Sequence, residues 1–413
     1  MWANKLPNYH VADITGPEAA NTAFVKEMRL IRQKLLQQGL FETDMNFYHM
    51  KAIWIGSLLL GAVACVVLGK GSTPIQLLGG CLLGCFWQQL AFIGHDTGHN
   101  GITHVQWVDN TIGILIGNVF GGVSIGWWKR SHNVHHIVCN SIEHDPDIQH
   151  LPVLCCDEEI CAKPYWSTYH SKEFAMDAAS RFIVSHQHYL FYPVMAVARF
   201  NLYLQGILLL IKEPKTVWKA QYEALGLVAF WMWFLSLCSY LEGTWTTLAF
   251  LLLSHGIAGI LHVQICLSHF SMNVYHGNTY DTAMDGKGVE LHRQNGVEYS
   301  SGGAVDDWFR TQLCSTMNIS CPEWMDWFHG GLQFQIEHHL FPRLPRHNLR
   351  KARALVKPFA EKYGVDYHEV SFYQSNLETF KGLKSTAMKA REMSVGDGNI
   401  GESMLIAGLN AEG

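Results

Sequence analysis

Four long apolar stretches without a charged residue constrain this chain more than any other feature. They cover residues 53–69, 74–94, 225–241 and 247–268. A helix needs about 20 apolar residues to cross the hydrocarbon core of a bilayer, and fewer when flanking side chains reach the interface. A short turn joins the stretches within each pair, so the sequence predicts four transmembrane helices arranged as two hairpins. Buried helices of a soluble core are the alternative, and two uncharged pairs disfavour it.

A fifth apolar stretch, at residues 189–211, differs because it contains Arg199, Asn201 and Gln205. An arginine in the middle of a bilayer costs at least about 2.5 kcal/mol. We therefore expect this stretch to lie in the membrane interface or to enter only part of the way. A shorter, glycine-rich stretch at residues 112–126 is too short to span the bilayer, and we expect it to lie in the interface or to enter part of the way as well.

The distribution of Lys and Arg predicts the orientation and the domains. The two hairpin turns contain a single positive residue, Lys70, whereas the three flanking segments contain many. Positive segments stay in the cytosol, so these three are expected on that side. We predict an all-α integral membrane protein with a cytosolic helical cap. Residues 1–45 form a cytosolic segment with an amphipathic helix at 21–38, residues 46–384 the membrane domain, and residues 385–413 a flexible tail.

Composition excludes several classes of protein. Charged residues make up 16% of the chain, against about 25% in an average soluble protein. The net charge of −5 leaves no basic footprint, so nucleic acid is not an expected partner. The 11 Cys are scattered and some lie in apolar runs, which favours reduced thiols over a disulfide framework.

Histidine is over-represented, with 23 residues, and forms three clusters that the predicted topology places on the cytosolic side. The clusters read His95-Asp-Thr-Gly-His99, His132-Asn-Val-His135-His136 and Gln335-Ile-Glu-His338-His339. Positions i, i+3 and i+4 of a helix share one face, so each cluster presents its side chains as a short row. Convergent imidazoles without thiolates favour iron, zinc or copper.

The last apolar stretch adds three histidines spaced by seven residues: His255, His262 and His269. Only His269 falls at the cytosolic end, level with the clusters, and we expect it to be a further metal ligand. His262 lies about 10 Å deeper at 1.5 Å per residue. We expect it to form a hydrogen bond with a neighbouring helix.

Two functions from different classes fit a membrane histidine site. One is an oxidative enzyme in which a metal centre activates oxygen beside an apolar substrate cavity. The other is an electron carrier with two stacked haems between His255 and His269. The haems need partner histidines on a second span, and the stretches 53–69, 74–94 and 225–241 contain none. The haem hypothesis is therefore disfavoured.

Several motifs resemble those of the membrane fatty acyl desaturases, and most closely the front-end, cytochrome-b5-type branch. Gln335 opens the third cluster, as is typical of that branch. The other matching motifs are Trp127-Trp128-Lys129, Asn140 with His144-Asp145-Pro146-Asp147, Asp307-Trp308-Phe309, Gln312, Asn318, Trp327-Phe328-His329-Gly330-Gly331-Leu332 and the segment from Leu340 to Leu349.

The resemblance implies a di-iron centre that inserts a cis double bond into a lipid acyl chain, with O2 and two electrons. A front-end reaction on a polyunsaturated acyl-CoA or phospholipid-linked chain is expected; a lipid hydroxylase or a sphingoid-base desaturase is the alternative. The protein is expected in the endoplasmic reticulum membrane with its site facing the cytosol. Gln335 is expected to be a weak ligand or to orient one. The implied ligands are His95, His99, His132, His135, His136, His269, His338 and His339.

One departure from the family concerns the electron donor. Many front-end members carry a fused N-terminal cytochrome b5 domain with a His-Pro-Gly-Gly motif, which these 413 residues lack. Electrons from NADH or NADPH are therefore expected to arrive through a reductase and a separate cytochrome b5.

Overall fold

The computed structural model describes residues 22–277 and 308–392, and most of them are helical. The first helices are α1 Ala23–Gln37, α2 Met45–Leu68, α3 Thr73–Gly98, α4 Gln106–Gly113, a π-helix Ile114–Phe120 and α5 Ile125–Val138. The next are α6 Glu158–Ala162, α7 Ala178–Val184, α8 Gln187–Val197, α9 Arg199–Lys212, α10 Ala220–Cys238, α11 Thr244–Ala258 and α12 Ile260–Leu267. The last are α13 Trp308–Ser315, α14 Asp326–His329, α15 Gln335–Leu340, α16 Leu349–Lys362 and α17 Phe372–Glu392.

Two small sheets complete the described part of the chain. Strand β1, Tyr165–Ser167, pairs antiparallel with β2, Lys172–Phe174. Strand β3, Asn318–Ser320, pairs in parallel with β4, Glu369–Ser371.

Four helices are long and apolar enough to cross a membrane: α2, α3, α10 and the continuous pair α11–α12, Thr244–Leu267. They correspond to the four predicted stretches. The first begins earlier than predicted because the Asp44 side chain caps α2 by accepting a hydrogen bond from the Asn46 backbone N–H at 2.9 Å. The multi-pass character is therefore confirmed, whereas the arrangement in two hairpins stays a prediction.

Helix α3 lies between α2 and α11 at the centre of this bundle. Its glycines allow the close approach: a Cβ at Gly84 is placed 2.7 Å from the backbone oxygen of Ser254 on α11. Helix α10 packs mainly on the π-helix. The C-terminal end of α3 carries His95, and the C-terminal end of α12 directly precedes His269. The bundle therefore places both histidines in the same region.

Two helix pairs are sharply bent. Helices α8 and α9 meet at 64°, and the segment Gln106–Phe120 meets α5 at 115°. The chain has up to six spans if each bent pair crosses, so the interfacial placement of residues 189–211 stays a prediction. Arg199 is buried here: its guanidinium donates to the Gly121 carbonyl and to the Tyr203 hydroxyl, and lies 4.4 Å from the Trp87 ring centroid.

The terminal segments differ in how they match the predictions. Helix α1 lies within the range predicted for an amphipathic helix, and its Phe24 ring packs 4.8 Å from that of Phe359 on α16.

The flexible tail was predicted to begin at residue 385, and this boundary is wrong. Helix α17 continues to Glu392 because Ala387 and Ala390 pack in the core. The remaining tail lies outside the described residues.

Candidate metal centre

The structure brings all eight predicted histidines into one cluster. His95 and His99, the first histidine box, lie at the end of α3. His132, His135 and His136, the second box, lie on α5, and Gln335, His338 and His339, the third box, lie on α15. Ring centroids of His95 and His338 are 4.4 Å apart, and those of His136 and His339 are 4.2 Å apart. His269, just after α12, lies 4.6 Å from the His135 ring.

Ligand atoms within 4.8 Å of one another form two groups that share no residue, and a third set, His132, His135 and Asp147, links them. Cys139 joins the second group. His136 lies between the groups, with its Nε2 atom 3.1 Å from that of His132. The first group is His95, His99, His132 and His338, and the second is His135, Cys139, His269 and His339.

Trp128 holds the first two boxes together. Its indole ring lies 4.3 Å from the His132 ring and 5.4 Å from the His95 ring. It occupies the place of a side chain at Gly98, where a Cβ is placed 1.9 Å from the indole. The glycine inside the first box is therefore a packing requirement of the site.

Four of the buried imidazoles have a ring nitrogen without a hydrogen-bond partner among the described residues: His99 Nε2, His136 Nδ1, His338 Nε2 and His339 Nε2. A buried polar atom without a partner is costly. Metal ions bound by these groups would satisfy such atoms, and imidazole suits iron, zinc and copper. The donor set therefore fits a metal cofactor.

Most of these imidazoles are neutral, as metal ligands must be. Burial lowers the pKa of His132 to about 4 and holds the pKa values of five more histidines well below the usual range. His135 is the exception: burial lowers its pKa, but the Asp145 and Asp147 carboxylates outweigh burial and raise it to about 9. These five histidines are His99, His136, His269, His338 and His339.

Side chains behind the histidines orient their rings. The Nδ1–H of His135 donates to Asp145 at 2.8 Å, and that of His132 to Asp147 at 3.1 Å. The other two such contacts join His339 Nδ1 to Gln312 Oε1 at 2.9 Å and His269 Nδ1 to Cys139 Sγ at 3.5 Å. Outer partners of this kind fix the tautomer so that Nε2 faces the metal.

The sequence left Cys139 out of the site. It lies three residues after the second box, and nothing in its spacing distinguishes it from the other scattered cysteines. Burial raises the pKa of its thiol well above the usual value. We therefore describe Cys139 as a thiol contact of His269.

Gln335 and the two other histidines of the last span have defined neighbours. Gln335 lines a small cavity together with His95, His338 and Arg346. The ring of His262 forms a hydrogen bond from Nδ1 to the Met195 carbonyl of α8 at 2.9 Å, which confirms the expected helix-to-helix contact. His255 contacts the Leu251 carbonyl.

This fold and site define a multi-pass membrane protein with a histidine-rich metal centre, and known proteins identify the family. The fatty acid desaturase family model matches residues 72–371. A Delta(8)-fatty-acid desaturase of Helianthus annuus is 40% identical over 389 residues, covering 94% of this chain and 77% of the relative. An acyl-lipid (9-3)-desaturase of Borago officinalis is 36% identical, with 94% and 79% covered. A Delta 8-(E)-sphingolipid desaturase of Candida albicans is 38% identical, with 84% and 55% covered.

The chain belongs to the fatty acid desaturase family. It is a membrane desaturase of the front-end type, an oxidoreductase of lipid metabolism with a metal cofactor.

Proposed function

We propose that the two groups of imidazoles hold two iron ions. The observation that carries this proposal is the convergence of all eight histidines, four of which have a buried ring nitrogen without a hydrogen-bond partner among the described residues. A bound di-iron centre supplies the oxidising power, from O2 and two electrons, to remove two hydrogen atoms from adjacent carbons. The products are a C=C bond and two water molecules, with two protons consumed.

The residues of this chain then have separate tasks. One iron falls to the first group and the other to His135, His269 and His339, with His136 placed between them. Asp145, Asp147 and Gln312 hold the rings that face the iron. Gln335 is a weak ligand or orients one, since an amide oxygen is a poorer donor to the metal than an imidazole nitrogen.

We infer that the metal centre faces the cytosol. This orientation follows from the lysines and arginines of the three flanking segments, and the endoplasmic reticulum is the membrane we assign. Residues 22–45 and the described cytosolic segments after the second and fourth spans then form the cap over four spans arranged as hairpins. Electrons pass from NADH or NADPH through a reductase and a separate cytochrome b5.

The substrate class follows from the relatives. Two of the three relatives described above are named for a double bond at the Delta 8 position. Their names differ in the substrate, which is a fatty acid for one and a sphingolipid for the other. We propose that this enzyme forms a cis double bond at position 8 of a long, polyunsaturated acyl chain linked to CoA or to a phospholipid. A sphingoid base is the second candidate, favoured by the 38% identity to the sphingolipid desaturase.

Expression in a yeast strain that lacks both products tests this proposal. Fed fatty acids are analysed by gas chromatography, and sphingoid bases by liquid chromatography and mass spectrometry. A new double bond in fatty acids supports the main proposal, and one in sphingoid bases alone supports the second candidate. A hydroxylated product contradicts both, and the His338→Ala variant is the inactive control.

A further inference from the structure

A one-turn helix, α14, packs against the membrane-spanning parts of α3 and α12 through its backbone. The side-chain amide of Gln89 on α3 donates to the Trp327 carbonyl at 2.9 Å. The amides of Gln88 on α3 and Gln264 on α12 both donate to the Phe328 carbonyl, each at 2.9 Å. Three glutamines of two apolar helices therefore meet one short segment.

With two backbone hydrogen bonds, these contacts give every backbone carbonyl of α14 a partner. The Asp326 carbonyl accepts from the Gly330 N–H at 2.8 Å, and the His329 carbonyl accepts from the Leu332 N–H at 3.0 Å. All four carbonyls of this four-residue helix thus have a partner. Backbone groups at membrane depth must be satisfied by protein because no water is available there. The three glutamines explain how non-spanning backbone can lie at this level.

Two helices independently give the depth of the segment. Gln88 precedes His95 by seven residues, so the contact lies about 10 Å from that histidine along the axis of α3. Gln264 precedes His269 by five residues, which gives about 7.5 Å along α12. Both values place α14 on the membrane side of the metal centre.

Exposed aromatic side chains flank this segment. Trp324, in the turn before α14, is 72% exposed, and Trp327 is 48% exposed. Trp is enriched where a protein meets the boundary between headgroups and acyl chains. The negative charge of Asp326 is compatible with a position near lipid, because the carboxylate is bound by the Arg350 guanidinium and by the Gln333 amide.

We propose that residues 324–329 form a re-entrant membrane contact, in which Trp324 and Trp327 insert among the acyl chains of the leaflet nearest the metal centre. The partner is the bilayer lipid itself. This inference requires the four spans to lie in a bilayer, and it does not depend on the reaction that the metal centre carries out.

A photo-crosslinking experiment tests the contact. The full-length protein receives p-benzoyl-phenylalanine at position 324, or at position 166 as the matched control. Trp166 is a 55% exposed tryptophan in β1, and its partner in β2 is Glu173. Both variants are placed in vesicles of phosphatidylcholine with alkyne-tagged acyl chains and are irradiated.

We expect several-fold more lipid adduct at position 324 than at position 166. Equal or weaker labelling at 324 overturns the proposal. Both substitutions replace an exposed ring by another ring, and monodisperse elution before reconstitution shows that each variant is folded. Because the readout is lipid labelling, its result is independent of desaturase activity.

Discussion

At the residue scale, the Asp145 carboxylate orients the His135 ring through hydrogen bonds. Both of its oxygens contact the Nδ1 atom of His135, one at 3.0 Å and the other at 2.8 Å. The same oxygens also accept backbone N–H groups, one from Asn140 and one from Asp147. The carboxylate is therefore surrounded by donors, and it couples the second box to the loop that follows.

The Asp145→Asn variant tests this role. An amide cannot accept at both positions, so its NH2 group must face a donor and the His135 ring loses its fixed tautomer. We expect activity or iron affinity to fall by about 10–100-fold, with unchanged accumulation in membranes. Desaturase assays and iron analysis measure the effect.

Glu143→Gln is the matched control because Glu143 lies in the same loop and binds His276 and the Gly277 N–H. It is expected to keep near-normal activity. Wild-type turnover and iron content in Asp145→Asn would show that the carboxylate does not position the ligand.

Gln335 provides a second residue-scale prediction. Its side chain lies beside His95 and His338, with only 4% of its surface exposed. We expect Gln335→Ala to lose most activity. Gln335→His is expected to fall short of full activity, because a strong additional ligand closes a position that oxygen needs. Full activity in Gln335→His would mean that the residue is only a spacer.

At the element scale, the apolar runs predicted the spans, but they did not predict which helices pack against each other. The pattern of residues 74–94 indicates a helix but does not say that α3 packs along α11, about 170 residues later in the chain. Glycine positions decide this contact, and a glycine within an apolar run looks the same whether it faces lipid or a helix. The pattern of apolar residues also did not predict the bends of the two helix pairs.

Gly84→Leu tests the contact between α3 and α11. The added side chain meets the Ser254 backbone oxygen and Ile257 at 2.7 Å, and backbone cannot move aside easily. We expect a loss of stability of at least about 1–3 kcal/mol, a lower thermal midpoint in detergent and reduced activity. Gly56→Leu on α2 is the control because a Cβ there has nothing within 4 Å. Equal midpoints for the two variants would contradict the packing.

The bent pair α8–α9 carries a topological prediction. The second and third boxes share one centre, so an even number of crossings must separate them, and we expect α8 and α9 not to cross. Single Cys residues at positions 172 and 215, in a background without native Cys, should both react with a membrane-impermeant thiol reagent from the cytosolic side. A Cys at position 70, in the turn after α2, should react only from the other side. Labelling of 172 and 215 from opposite sides contradicts the four-span topology.

At the scale of the whole molecule, the sequence predicted the metal site better than its surroundings. Spacings of three and four residues within a helix are visible in the chain, and they identified the histidines of the three boxes. Cys139 and the hydrogen-bonding roles of Asp145, Asp147 and Gln312 were not visible, because these contacts depend on the three-dimensional path of the chain between the helices. Spacing within a helix therefore did not identify these four side chains.

Eight histidines from four segments of the chain are expected to hold two iron ions. Metal analysis of the purified active protein, together with its desaturase activity, is the measurement that decides this. We predict close to two irons per chain, less iron and no activity in His135→Ala, and loss of activity when a chelator removes the metal. Stoichiometric zinc in an active preparation, or full activity in a preparation that contains no iron, would show that the histidines do not form a di-iron site.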